Sequence, residues 1–374
     1  MKKLAIAIFP VICLLLIATA CTNGNAGLIP PPVLDSTPYD VETSEGFVEM
    51  LSSTGKVRLT DDLLIEDAVE FEDGKEYEID LNDNILVLSL PKVIQLNNNA
   101  VLKIADGTIY SEDTSIASDD PSYTVRSNLA VNSGSKLILD NVSYNTPQTA
   151  IGLYYPNASV EIYDSEISTG AYGVSTNADD SYDSENVSIL IDNSTITSTI
   201  QDSCGVMLNV PGNLVITNSS ITAGRQAVIV RSGTATITNS TLASNGSYSE
   251  VSNPNYHLDE ASLWGSGNEV PMAALVVGDK HDISYYKADA VCTVSSSQIT
   301  MADNENDTNR FLIYLSSDPG TATLEDEKQY TNAILNIDNE EDCNTIKSEK
   351  AFREGNGTTV TVNLNGSKFD LSTT

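Results

Sequence analysis

Acid and amide side chains crowd two short stretches of this chain: "NADD", with Asp179 and Asp180, and "DNENDTN", with Asp303 and Asp307. Oxygen-rich loops of this kind suit a hard cation, and calcium is the one cofactor they point to. Neither stretch has the glycine and distal glutamate of an EF-hand loop, so a solvated acidic surface is the competing reading. His257 and His281 are the only histidines and no Cys-x-x-Cys occurs, which leaves a zinc site short of ligands. Arg225, Arg231 and Arg310 could grip a carboxylate in two-pronged fashion, or pair with the local acids of an acidic chain. Trp264, the only tryptophan, and Tyr154, Tyr155, Tyr285 and Tyr286 offer faces on which a sugar ring can stack. Tyrosine is also an ordinary strand and loop residue.

The charge balance narrows the partners. Lys and Arg number 19 against 52 Asp and Glu, a net charge of −33. Nucleic acid needs clusters of cations that this chain lacks, and attraction to anionic lipid by charge is excluded on the same ground. Cys204, Cys292 and Cys343 are too scattered for a disulfide framework. Cys204 and Cys292 fall at strand positions, where a free cysteine behaves as a small buried hydrophobe.

The first residues, "MKKLAIAIFPVICLLLIATAC", place two lysines before an apolar run that closes on small residues. That is the pattern of a secretory signal over residues 1–20, and the apolar run, broken by Pro10, is short for a bilayer span. "IATAC" resembles a bacterial lipobox, with Ala18 where Leu is usual. The resemblance implies a lipidated Cys21, a membrane anchor, and an exported protein at the bacterial cell surface. Residues 21–39, rich in Gly, Pro and Asn, read as a flexible tether.

The elements that must carry these groups are visible as a repeat. "LILDNVSY" (137–144), "VEIYDSEI" (160–167), "ILIDNSTI" (189–196), "LVITNSSI" (214–221) and "ATITNSTL" (235–242) share one form, with relatives at 102–109, 292–299 and 362–369. Apolar and polar residues alternate as in a half-buried strand. The phase breaks at Asn or Asp, residues that tolerate a left-handed corner. Shorter apolar strands come between: "AIGLYY" (150–155), "AYGVST" (171–176), "CGVMLN" (204–209), "QAVIVR" (226–231), "AALVVG" (273–278) and "FLIYLS" (311–316). A unit of strands and turns at so short a period predicts a solenoid, in which stacked coils share one core.

On these residues the chain resembles the pectate-lyase-like superfamily of right-handed parallel β-helices, an all-β class with three short strands per coil. The resemblance implies a stack of corner side chains at Asn141, Asp164, Asn193, Asn218 and Asn239. It also implies an inward ladder of Leu139, Ile162, Ile191, Ile216, Ile237 and Val294, within one β-helical domain over 57–374. Residues 40–56 read as an amphipathic helix with Val41, Phe47, Val48 and Leu51 on one side, placed to cap the open end of the solenoid. Five inserted loops are expected, at 177–188, 243–272, 279–289, 303–310 and 317–330.

In enzymes of that superfamily the active groove runs along the outer face of the first strand of each coil. If Leu153, Val174, Val206, Val228 and Leu275 point inward, their successors Tyr154, Ser175, Met207, Ile229 and Val276 point outward, and the outward neighbours on the other side are Gly152, Gly173, Gly205, Ala227 and Ala274, a small and apolar column. A lyase needs a base and a cation beside a uronate carboxylate, and a glycoside hydrolase needs two spaced carboxylates. Neither set falls on that face. The expectation is a surface lipoprotein whose loops bind glycan or a host or cell-surface protein without catalysis. Two alternatives stand beside it: a divergent polysaccharide lyase or glycoside hydrolase with loop-borne residues, and a purely structural surface protein.

Overall fold

The computed structural model describes residues 37–66, 68–89, 94–97, 99–112, 114–115, 117, 127–154, 156–177, 186–199, 203–245, 272–278, 288–302, 310–316, 332–338, 352–354 and 360–369. They form a parallel β-helix. Each middle coil contributes three strands, as in Thr149–Tyr154, Ser159–Tyr163 and Glu166–Thr169, or Gln226–Val230, Gly233–Thr238 and Thr241–Ser244. The first strands of successive coils pair in a nine-stranded sheet, and the second and third strands join in a 20-stranded sheet that bends at the corner between them.

The register builds the expected ladder. Val57, Ile79, Ile104, Leu139, Ile162, Ile191, Ile216, Ile237, Val294, Ile337 and Leu364 follow one another coil by coil. All are buried. One rung alone would leave its side chain half wet; stacking covers both sides of each, and full burial of such a side chain is worth about 1.5–3 kcal/mol.

The corner is a two-residue turn from Tyr163 to Gln298 in every coil. Asn141, Asp164, Asn193, Asn218 and Asn239 all have positive φ, between 48° and 56°, the region that Asn and Asp enter most readily. Their side chains are exposed and linked along the outside. Asn141 Nδ2 donates to Asp106 Oδ1 at 2.8 Å, Asn193 to Asp164, and Asn239 to Asn218 Oδ1 at 2.7 Å. Asn218 departs from the expected stack: it donates to Asp192 Oδ1, on the strand before the corner, at 3.0 Å.

Beneath this outer line runs a second, buried one. Ser165, Ser194, Ser219, Ser240 and Ser297 each donate Oγ–H to the carbonyl two residues earlier in their own coil. Each Oγ also accepts a backbone N–H from the preceding coil, at 3.0–3.1 Å. A turn frees its N–H groups from the strand ladder, and a buried donor must find a partner. Serine supplies it from the neighbouring coil, which explains the Asn-Ser pair in the repeat.

At the N-terminal end, Tyr39–Val41 is a strand paired with Lys56–Leu59, so Tyr39 and Val41 belong to the sheet rather than to tether or helix. The helix spans Ser44–Thr54. Thr43 caps it by accepting from Gly46 N at 3.1 Å, and Gly55, left-handed at φ 78°, ends it. Phe47 and Leu51 are fully buried against the first coil, while Val48 is partly buried. At the other end Val360–Leu364 turns back through Asn365 and Gly366 into a short antiparallel strand.

Candidate functional site

The nine-stranded sheet is where a β-helix of the expected kind would carry its groove. Leu153, Val174, Val206, Val228 and Leu275 all point inward as expected, but Leu153 stands one rung off the line of the other four. Ile151, not Leu153, pairs with Val174, and the rung continues through Val206, Val228, Leu275 and Ile313. Leu153 pairs with Thr176, which turns inward and is fully buried. The Thr176 hydroxyl donates to Met207 O at 3.1 Å and accepts from Asn209 N at 2.6 Å, which satisfies it within the core.

Of the two outward columns expected, the one of small residues is corrected. Ala227 and Ala274 belong to the interior cluster. A Cβ on Gly173 would lie 2.4 Å from Ile196 Cγ2, and one on Gly205 2.4 Å from Ile221 Cγ2 and 2.5 Å from Ala227 O. Those isoleucines are core residues, so this column is small because the third strand of the coil crowds it from inside. Gly152 belongs elsewhere: its neighbours in register are Ala130 and Ser175.

The expected column of successors holds over Ser175, Met207, Ile229 and Val276, and the register extends it through Ala130 and Gly152 at one end and Tyr314 at the other, with Gly152 in place of Tyr154. From Met207 onward its members are buried, and with Ala171, Tyr172, Cys204 and Ala273 they form a second apolar cluster separate from the core. The nine-stranded sheet thus has both faces buried along this length. The sequence held the signal: "CGVML" and "QAVIV" are continuous apolar runs, as in parallel strands covered on both sides, and not alternating ones.

Two arginines border this cluster. Arg225 and Arg231, at either end of the strand Gln226–Val230, are each 1% exposed. Arg231 Nη1 donates to Asn209 Oδ1 at 3.1 Å, across one rung. Arg225 lends its carbonyl to the Ser244 hydroxyl at 2.7 Å. Taking a guanidinium out of water costs several kcal/mol unless other groups replace that water. Their positive charges reach Cys204, whose thiol burial still pushes up to about 12. Cys292, in the core, is likewise pushed up to about 12 by burial. Both thiols are free and buried, as expected of small hydrophobes.

Tyr154 stands on the same face, nearer the N-terminus. Its hydroxyl lies 3.1 Å from Ser127 Oγ, and its ring covers Gly152, where a Cβ would come within 2.6 Å of it. The structure thus brings Arg225 and Arg231 to one strand and sets Tyr154 apart. Trp264, Tyr155, Tyr285, Tyr286, Asp179, Asp180, Asp303, Asp307 and Cys21 lie outside the described residues. Among the described residues no group of three or more His, Cys, Asp or Glu is placed to hold a metal ion.

Where the chain departs from the regular coil is itself a pattern. From Tyr163 to Gln298 the Asn corner admits two residues and never more. The long departures all adjoin strands of the nine-stranded sheet: Asn177 to Val187, Ser244 to Met272, Gly278 to Ala290, Met301 to Arg310 and Ser316 to Ala333. Register survives each of them, as in Val230 with Val277 and Ser244 with Met301. No family model, no curated protein and no solved structure matches this chain.

Proposed function

We propose that this protein is an exported lipoprotein, anchored through Cys21, whose β-helix presents inserted segments for binding glycan or a surface macromolecule, without catalysis of its own. The observation that carries this reading is the placement of the insertions. The five long ones adjoin the nine-stranded sheet, and from Tyr163 to Gln298 none enters the Asn corner; in repeat folds insertions gather on one face, which is often the binding face. Binding residues concentrate on segments held by a rigid scaffold. The face between those insertions is apolar and buried from Met207 to Tyr314. Among its described residues there is no carboxylate pair for glycoside hydrolysis, which supports binding over a polysaccharide lyase or hydrolase.

The test is incubation of the chain, with and without calcium, with acidic and neutral polysaccharides. Retention on the polymer and release of new or unsaturated ends are followed together. Retention without release is expected, and it should weaken when residues 246–271 are deleted or Trp264 is changed to Ala. Released product would overturn the reading in favour of an enzyme. Binding that survives the deletion would remove Trp264 from the site.

A further inference from the structure

The outer face of the third strands changes character along the solenoid. Val87, Tyr110, Asn145, Ser168, Thr197 and Thr222 follow one another in register, with Leu64 preceding Val87. From Asn145 on, the column is polar, as an outward strand position should be. In the first three coils it is Leu64, Val87 and Tyr110, flanked by Ile85 one column away. Leu64 is 46% exposed, Tyr110 39% and Ile85 38%, and these are among the few large apolar side chains so exposed. Scattered singly such residues mean little; Leu64 and Tyr110 exposed in one column, with partly exposed Val87 between them and exposed Ile85 beside it, form a patch.

The patch has acidic borders on both sides. At the corner end lie Asp62, Asp83 and Asp106, all exposed. Asp62 is held by the N–H of Ile85 at 2.8 Å and Asp106 by Asn141. At the other end lie Glu66, which is exposed, and Glu112, whose Oε2 accepts the Tyr110 hydroxyl at 2.7 Å. The described cations of these coils are engaged elsewhere: Lys56 with Glu78, Arg58 with Asp80, Lys75 with Glu72 and Lys103 with Asp140. None stands on strands Leu63–Ile65 or Ile85–Leu88, or on the third-strand segment 107–111.

We infer that this strip is a docking site for a basic amphipathic helix of a partner protein. At a strand spacing of about 4.8 Å, Leu64 to Tyr110 spans roughly 10 Å. Apolar residues at i, i+4 and i+7 of one helix span about 10.5 Å, so one helical face matches the strip and lysines on both flanks meet the two acidic borders. A second copy of this chain, at −33, would be repelled, as would an anionic bilayer. The strip lies on the first three coils, whereas the strands that border the insertions start at Tyr172–Asn177, so the proposal does not rest on what the insertions bind.

The test measures binding of a fluorescent 14-residue Leu/Lys amphipathic helix to the full-length chain by anisotropy. Comparators are a helix with Gln in place of each Leu and a chain carrying Leu64→Thr with Tyr110→Thr. Threonine already occupies this column at Thr197 and Thr222, so the variant should keep its fold, which a thermal melt verifies. We expect the Leu/Lys helix to bind, and the double variant and the Gln helix each to lose about tenfold or more in affinity. Glu66→Gln with Glu112→Gln should also weaken binding and flatten its salt dependence. Equal binding by the Thr variant, equal binding of the Gln helix, or no binding by the natural chain would each overturn the proposal.

Discussion

Ser219 and Ser240, 21 residues apart, share one hydrogen bond that joins two coils. The N–H of Ser219 donates to Ser240 Oγ at 3.1 Å, while that hydroxyl donates to Thr238 O in its own coil at 2.8 Å. Ser240 is 5% exposed, so water cannot replace the oxygen if it is removed. Ser240→Ala leaves the buried N–H of Ser219 without its acceptor, and the expected loss is about 1–3 kcal/mol. Denaturant unfolding of the variant checks this; an unchanged midpoint would mean the ladder contributes nothing.

The outer line of corner side chains should matter less than the corner conformation. Asn218 is exposed and sits at φ 52°. Asn218→Ala must hold an alanine in the left-handed region, at about 1–2 kcal/mol. Asn218→Gly adopts that φ freely and, like the alanine variant, loses two solvent-exposed side-chain bonds, to Asp192 and from Asn239. The glycine variant should therefore melt above the alanine variant. The reverse order would put the stabilisation in the side-chain bond.

The inward ladder and the crowded column can be tested together. Ile216→Asp buries a carboxylate between Ile191 and Ile237 and should prevent folding or cripple it. Gly205→Ala drives a methyl group against Ile221 Cγ2 and the Ala227 carbonyl, and overpacking of this kind costs about 1–3 kcal/mol. Gly152→Ala meets chiefly the ring of half-buried Tyr154, a side chain that can swing aside. Melting points should rank Gly152→Ala above Gly205→Ala. If both behave alike, Gly205 faces outward after all.

These contrasts mark what the sequence makes legible. The second and third strands alternate cleanly and meet at a corner that holds Asn or Asp in every coil from Leu139 to Ile237 and Ser296 in the next, so their register and the ladder from Leu139 to Val294 follow from pattern alone. The serine of the Asn-Ser pair is as regular, yet its inter-coil bond appears only once the coils are stacked. In the first strands alternation fails because both faces are buried. "AIGLYY" offers Ile151 and Leu153, two residues apart on the same inward face, and a shift by two keeps every face, so pattern alone does not decide which of them stands beside Val174. The burial of Arg225 and Arg231 is likewise a tertiary fact. An arginine beside an apolar run reads as a surface residue until something is known to cover it.

Burial of the two thiols predicts both their reactivity and a pH dependence. Cys204 and Cys292 are inaccessible, and burial pushes each up from 9.0 to about 12, so the nucleophilic thiolate is scarce at neutral pH. A thiol reagent should leave both unmodified in the native protein and label them on unfolding. The same shift destabilises the fold in alkali. An unfolded thiol ionises near 9 and the folded one near 12, so between these values unfolding releases a proton, and stability falls as pH rises. Each thiol can contribute up to about 1.4 kcal/mol per pH unit there, and nothing below pH 9. Tyr144, buried and bonded to Ser111, is shifted in the same direction and adds to the effect at higher pH. Unfolding free energies at about pH 8 and about pH 11 should therefore differ more for the natural chain than for Cys204→Ala with Cys292→Ala. Equal differences would mean that the thiols do not titrate with folding, and rapid native labelling of Cys204 would show that the outer face of the nine-stranded sheet opens to solvent.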